Sequence, residues 1–279
     1  MVIIRIFCGV DDLAGAYRDG FLYSGRYSKF RRKRYGSSSK GIPAKRFVIF
    51  SQNHDQVGNR RDGDRLSQSL SFEQLKLAAG TVLLSPYVPM LFMGEEYAES
   101  APFQYFVSHG DPALIEAVRE GRRKEFAEFG WAGDIPDPQS EATFLGCKLN
   151  WNLHAEGQHR ILRNFYQELL RLRRDVPALA NLDKEAMEIT SFADQNVLLV
   201  RRWGAGPQIV IVHHFDQTPR SVNVLIPVGS WRSVLDSSEE RWGGRDGGAA
   251  AVIQSHGEVP LALSPWAFLV LAHDSEDQR

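Results

Sequence analysis

The sequence predicts an α/β segment followed by an all-β domain, and three observations carry that prediction. An apolar run, Phe47-Val48-Ile49-Phe50, leads straight into the polar cluster Ser51-Gln52-Asn53-His54-Asp55-Gln56, with Gly58, Asn59 and Arg60 just beyond. It is apolar on consecutive positions rather than alternating ones, the pattern of a strand buried on both faces of a parallel sheet. Parallel α/β barrels present their reactive groups at the C-terminal ends of such strands. A second apolar strand follows after one intervening helix, so strand, helix and strand succeed one another with polar groups after each strand. Beyond about residue 180 short strand-like runs recur between Gly, Pro, Asn and Asp, the texture of an antiparallel β-sandwich.

Taken in order, residues 45–50 form the first strand. Ser71 and Gln74 have the spacing of a capping box, and Phe72, Leu75, Ala79, Val82 and Leu83 continue at helical spacing until Pro86 and Pro89 stop the helix. Residues 88–93 form the next strand, ending at Gly94-Glu95-Glu96-Tyr97, and a right-handed parallel crossover is expected between the two. Asp111 as N-cap with Pro112 behind it opens a further helix that carries Leu114, Ile115 and Val118 inward. Residues 158–174 form another, with Ile161, Leu162, Phe165, Leu169 and Leu172 as its apolar stripe. Arg171, Arg173 and Arg174 complement the negative end of its dipole, and Pro177 ends it. The boundary falls near 176–183, dividing the chain into residues 1–178 and 179–279. In the second part the strands are 197–203, 208–214, 221–225, 231–236, 259–263 and 267–272, with a flexible loop at 243–248 and a polar tail from Ser275.

Composition excludes several classes. Of 279 residues, 43% are hydrophobic and 24% charged, and the net charge is −1, so no global field favours nucleic acid or an anionic membrane. The basic run over residues 26–40, interleaved with Tyr27, Phe30 and Tyr35, reads as a solvated loop, with an anion contact as the alternative. Cys8 and Cys147 are far apart, which argues against a disulfide framework or a zinc site and fits a cytoplasmic setting. No apolar run approaches membrane-spanning length, and the apolar start of the chain lacks the features of a signal peptide. His213-His214 falls within a strand, where adjacent imidazoles face opposite ways, so no metal site and no cofactor are expected.

Asn53-His54-Asp55 at a strand end resembles the signature that closes the active site in the alpha-amylase superfamily (glycoside hydrolase family 13). The longer context is more specific. Phe47 through Arg60, Glu73-Gln74-Leu75-Lys76-Leu77-Ala78-Ala79, and Leu83 through Tyr97 are similar to the trehalose-releasing hydrolases of that superfamily. So are Asp19-Gly20-Phe21, Gly25-Arg26-Tyr27-Ser28, Glu120 through Phe126, and Phe129-Gly130-Trp131, while the first nine residues depart from the pattern. The resemblance implies strands seven and eight of a (β/α)8 TIM barrel with their helices, followed by the antiparallel β-sandwich. It implies retaining cleavage of the α-1,4 bond next to the terminal trehalose of maltooligosyl-trehalose or a related α-glucan. It also implies that the nucleophilic Asp and the acid/base Glu, with the N-terminal half of the barrel, lie upstream of Met1, so that this chain is the C-terminal portion and inactive alone.

Retaining glycosidases need two carboxylates about 5–5.5 Å apart. A third, hydrogen-bonded to sugar hydroxyls, favours the distorted ring and the developing positive charge. The resemblance gives that role of transition-state stabiliser to Asp55, with His54 donating to the same sugar, Gln56 and Asn59 extending the sugar contacts, and Arg60 orienting the loop. Taken without its surroundings, His54-Asp55 reads as a strand-end cap with an Asx turn. Glu95 and Glu96, adjacent on an extended segment, are expected to point apart: one hydrogen-bonded or ion-paired beneath the site, the other toward solvent. Phe103, Tyr105, Phe106 and Trp131 pack the long segment after the second strand, with sugar stacking as the alternative. Two other functions stay open: a non-catalytic carbohydrate-binding or scaffold protein, and one half of a split amylase-type enzyme.

Overall fold

The computed structural model describes residues 9–128, 135–245 and 248–274. Cys8 and the rest of residues 1–8, Phe129 through Trp131, the middle of the 243–248 loop and the tail from Ser275 lie outside the described residues. The described residues open with helix α1 (Val10–Asp19), then a largely exposed hairpin of β1 (Tyr27–Ser28) and β2 (Lys33–Arg34) that carries part of the basic run. Strand β3 (Val48–Ile49) is followed by α2 (His54–Gly58), α3 (Leu66–Ser69), α4 (Phe72–Leu83) and β4 (Val88–Pro89). Helices α5 (Pro112–Glu128), α6 (Glu141–Gly146), α7 (Gly157–Asp175) and α8 (Pro177–Ala180) complete the first part.

β3 and β4 pair in parallel, Val48 opposite Val88 and Ile49 opposite Pro89. The strands are shorter and wetter than their sequence predicts. Ala44–Arg46 is a 3-10 turn, and Val48 is 55% exposed. A parallel strand is buried only when neighbouring strands and covering helices enclose both faces. Among the described residues β3 has β4 alone beside it, so the packing that its composition anticipates is incomplete, and no barrel is seen. The local signals are met more closely. Ser71 Oγ accepts from the Gln74 amide while Gln74 Oε1 accepts from the Ser71 amide, and Asp111 Oδ1 accepts from the Ala113 amide at 2.8 Å. Pro177 differs: it opens the short helix α8 rather than merely ending α7.

The second part holds β5 (Met187–Phe192), β6 (Val197–Arg202), β7 (Ile209–His214), β8 (Arg220–Leu225), β9 (Gly229–Asp236), β10 (Val252–Ser255), β11 (Glu258–Leu263) and β12 (Phe268–His273). Six form one antiparallel sheet in the order β10-β9-β12-β7-β6-β5, and β11 pairs with β8 in a second, smaller layer. Val222, Val224, Val259 and Leu261 of the small layer pack on Val210, Val212, Trp231 and Leu271 of the large one. β5 and β10 have no counterpart among the expected strands, because Met-Glu-Ile-Thr-Ser-Phe and Val-Ile-Gln-Ser are short and mixed in polarity.

The far face of the large sheet is buried as well. Leu198, Val200, Ile211, Phe268 and Val270 share one core with Tyr17 of α1, Leu77 and Leu83 of α4, and Leu162, Phe165 and Leu169 of α7. That is why β6 and β7 read as unbroken apolar runs although they are antiparallel: their sheet is the middle layer of three.

Two buried cations, Lys76 and Arg202, and the half-buried Arg173 tie the helices to one another and to the strand domain. Lys76 of α4 donates to the Ser237 and Trp242 carbonyls at 2.6 and 2.9 Å. Arg173 of α7 does not serve its own helix end; it donates to the carbonyls of Leu83, Ser85 and Tyr87 at the end of α4. Arg202 of β6 takes the next carbonyl, Leu84 O, at 2.8 Å. The two arginines together satisfy orphan carbonyls at the negative pole of the α4 dipole. Close packing there leaves room only for Gly80, since a Cβ would lie 2.4 Å from two atoms of the buried Phe268 ring. Gly80→Ala is expected to lower stability by about 1–2 kcal/mol, overpacking outweighing the better helix propensity of Ala. Chemical denaturation measures it, and a stability equal to or above the parent's would mean that Phe268 moves aside without cost.

Candidate active site

The polar cluster after β3 folds into α2, and Asn53 is its N-cap: its Oδ1 accepts from the Gln56 amide at 2.8 Å. This turn places His54 and Asp55 in the first helical turn, with side chains 71% and 74% exposed and His54 Nε2 3.3 Å from Asp55 Oδ1. The capping residue is thus Asn53, and both His54 and Asp55 project free of the turn. Gln56 and Asn59 are exposed, and of the two Asn59 lines the cleft described next. Arg60 is ion-paired to Asp64 within the following loop.

Opposite stands the aromatic segment 103–106. His54, Asp55, Gly58 and Asn59 form one wall of a cleft of about 190 Å³, and Phe103, Gln104, Tyr105 and Phe106 form the other. The walls are joined. The Phe103 amide donates to Gly63 O at 2.8 Å, and Gln104 Nε2 donates to Asp62 O at 3.3 Å. Gly63 has a φ of +64°, and a Cβ there would meet Phe103 O at 2.6 Å, so only glycine permits this approach. Phe103 packs behind the cleft against Phe92, and Phe106 against Phe144, which leaves Tyr105 as the exposed ring of the wall. Trp131, the fourth aromatic of the sequence reading, is outside the described residues.

Beneath the cleft the two strand ends are linked by Gln52 and Glu95. Gln52 Nε2 donates to Glu95 Oε2 at 3.3 Å while Gln52 Oε1 accepts from the Leu66 amide at 3.2 Å. Glu95 is 7% exposed, and burial pushes its carboxyl up to about 7. Glu95 and Glu96 occupy a 3-10 turn, not the extended segment expected of them. Glu95 bonds Gln52, and Glu96 lines a separate cavity with Arg163 and Tyr166, whose phenol is also hydrogen-bonded to Glu95. Glu99, fully buried, accepts from Tyr97 Oη, the Ala101 amide and the Asn150 amide, which fixes the segment leading to residue 103.

Sequence reasoning missed Arg122. From α5 it reaches the cleft with only 14% of its side chain exposed, donating to Asn59 Oδ1 at 3.0 Å and to Gly58 O at 2.9 Å. An Arg one helical turn before an aromatic, here Phe126, was the available signal. His213 and His214 are both buried and diverge as expected, His213 among Tyr17, Phe215 and Phe268 and His214 with Nδ1 2.8 Å from Ser264 O. Among the described residues no group of three or more His, Cys, Asp or Glu is placed to hold a metal ion, and no helix is long and apolar enough to cross a membrane.

Two layers of sheet after a parallel α/β unit with an Asn-His-Asp turn resemble the C-terminal portion of an amylase-type chain. The family described as "Alpha amylase, C-terminal all-beta domain" matches residues 190–274. A solved structure described as a putative alpha amylase from Salmonella typhimurium superposes with a TM-score of 0.74 at 34% identity, covering 94% of this chain and 41% of that one. Over most of its length the chain is similar to proteins of the alpha-amylase family. Its particular relatives are malto-oligosyltrehalose trehalohydrolases. That of Mycobacterium tuberculosis (strain CDC 1551 / Oshkosh) is 42% identical over 240 residues, 84% of this chain and 41% of the relative. That of Brevibacterium helvolum is 40% identical over 270 residues, 93% of this chain and 41% of the relative. The chain thus spans about two fifths of the length of these relatives.

Proposed function

We propose that this chain supplies the third-carboxylate side of a retaining glycosidase that releases trehalose from maltooligosyl-trehalose. The observation that carries the reading is the cleft itself: Asp55 and His54 stand exposed at the end of a parallel strand, facing an aromatic wall. In this reading β3 and β4 are the last two strands of a (β/α)8 barrel, residues 1–178 belong to that barrel, and residues 179–279 form its C-terminal β-domain. The nucleophile and the acid/base are contributed by complementary polypeptide packed on β3 and β4, whose half-exposed faces support such packing. Asp55 accepts hydrogen bonds from sugar hydroxyls, and these strengthen as the ring flattens toward the oxocarbenium ion. His54, Gln56 and Asn59 hold the same sugar, and Arg60 steadies their loop through Asp64. The names of the relatives at about 40% identity support the substrate, and the cysteine usage supports a cytoplasmic setting.

The test is trehalose release from maltotriosyl-trehalose. The chain alone is expected to be inactive, and activity is expected when it is mixed or co-expressed with the preceding segment of one of the relatives. Turnover by the chain alone would overturn the division of labour and make Asp55 with a glutamate of the β4 turn the pair to examine.

A further inference from the structure

We infer that Arg122 is a positioning residue that sets the width of the saccharide cleft by locking its two walls together. The inference rests on reading that cleft as a saccharide site. Helix α5 carries Arg122 from a distant part of the sequence, and its guanidinium contacts two rings and three acceptors. One face lies 5.0 Å from the Tyr105 ring centroid and another contact is with Phe126 at 4.6 Å. Nη1 donates to Asn59 Oδ1 at 3.0 Å and to Glu125 Oε2 at 2.9 Å, and Nη2 donates to Gly58 O at 2.9 Å.

Gly58 is the last residue of α2, the helix that bears His54 and Asp55, and Tyr105 is the exposed ring of the facing wall. One planar cation therefore bonds the end of the carboxylate helix and stacks on the aromatic wall at once. Only arginine combines these, because the fork bonds two acceptors in one plane while its faces stay available for stacking. The carbonyl at the end of α2 receives its positive charge at the matching pole. Arg122 also anchors the side-chain oxygen of Asn59 through one of its two lone pairs, and the Asn59 amide donors remain available to a ligand's hydroxyl oxygens.

Arg122→Lys and Arg122→Ala in the full chain separate positioning from simple stability. Both are expected to keep the parent melting temperature within a few degrees, since the site is on the rim rather than in the core. Backbone amide relaxation is expected to show Gly58, Asn59 and Tyr105 becoming mobile in both variants while α4, α7 and the large sheet are unchanged. Titration with maltotriosyl-trehalose, followed by amide shifts at residues 54–59 and 103–106, is expected to show affinity at least 10-fold weaker in both. Millimolar methylguanidinium is expected to restore order and affinity in Arg122→Ala by filling the gap between Tyr105 and Phe126. Unchanged order at Gly58, Asn59 and Tyr105 would overturn the inference, as would parent-like affinity in both variants. If the parent itself fails to bind the saccharide, the saccharide reading of the cleft falls, while the relaxation result still decides whether Arg122 locks the walls.

Discussion

Asp55→Asn, introduced into this chain after it has been completed by the preceding segment of a trehalohydrolase relative, is expected to lower kcat by about 10²–10³-fold and KM by far less. The size follows from the type of contact. A group aimed at charge that develops only in the transition state contributes little to ground-state binding and much to the rate, and removing one such group costs about that factor. Asn keeps the shape and one acceptor oxygen but loses the negative charge. The geometry favours a clean experiment. Asp55 is exposed, and the cap of α2 belongs to Asn53, so the substitution removes no contact on which the fold depends. His54→Ala in the same assembly is expected to raise KM more than it lowers kcat, because a donor to a hydroxyl acts in both states. Initial rates over a range of maltotriosyl-trehalose concentrations measure both. An unchanged kcat for Asp55→Asn would remove Asp55 from the transition-state contacts and leave the cleft as a binding surface.

Local chemistry was legible in the sequence, and long-range geometry was not. The capping box at Ser71 and Gln74, the Asp111 cap and the α7 stripe are set by neighbours a few residues apart, so spacing reveals them. The strands 197–203 and 208–214 were legible for the same reason, although the cause of their unbroken apolar runs, a sheet covered on both faces, lies in α4 and α7. Arg173 shows the limit. Its position near the end of α7 fits a role at that helix's own dipole, yet its partners are the carbonyls at the end of α4, about 90 residues earlier in the chain. Val48 shows another: an apolar side chain in a strand says that burial is favourable, not that a neighbour is present to provide it. At the site, the turn carrying His54 and Asp55 was readable as a unit, whereas the wall at 103–106 and Arg122 reach it through tertiary contacts that leave no local pattern.

Stability between pH 4.5 and 6.5 is expected to be nearly flat with respect to two buried groups, because they pull in opposite directions, and single substitutions are expected to expose each slope. Burial raises the Glu95 carboxyl from 4.5 to about 7, so the folded chain keeps a proton that the unfolded chain releases. Its contribution is present below about pH 4.5 and is lost as pH rises toward 7. Burial lowers the His213 imidazole from 6.5 to about 4, with a backbone group of Leu198 working in the opposite direction. There the unfolded chain takes up a proton that the folded chain refuses, so stability is present above about pH 6.5 and is lost as pH falls toward 4. Each contribution is worth about 3 kcal/mol when fully developed. Glu95→Gln keeps an oxygen to accept from Gln52 Nε2 and removes the ionisation, so that variant is expected to gain stability relative to the parent as pH rises from 5 to 8. His213→Leu puts an apolar side chain of similar volume among Tyr17, Phe215 and Phe268 and is expected to gain on the parent as pH falls from 6.5 to 4.5. Urea midpoints at several pH values, compared variant against parent, isolate the two contributions from all other titrations. A Glu95→Gln profile parallel to the parent's would mean that the folded chain ionises Glu95 as readily as the unfolded one. The Glu95 slope also bears on the site. Gln52 holds Glu95 with one end of its amide and the start of α3 with the other, and it immediately precedes the Asn53 cap. Ionising Glu95 therefore loads the turn from which His54 and Asp55 project, and Glu95→Gln is expected to flatten the alkaline limb of activity in the completed enzyme as well as that of stability.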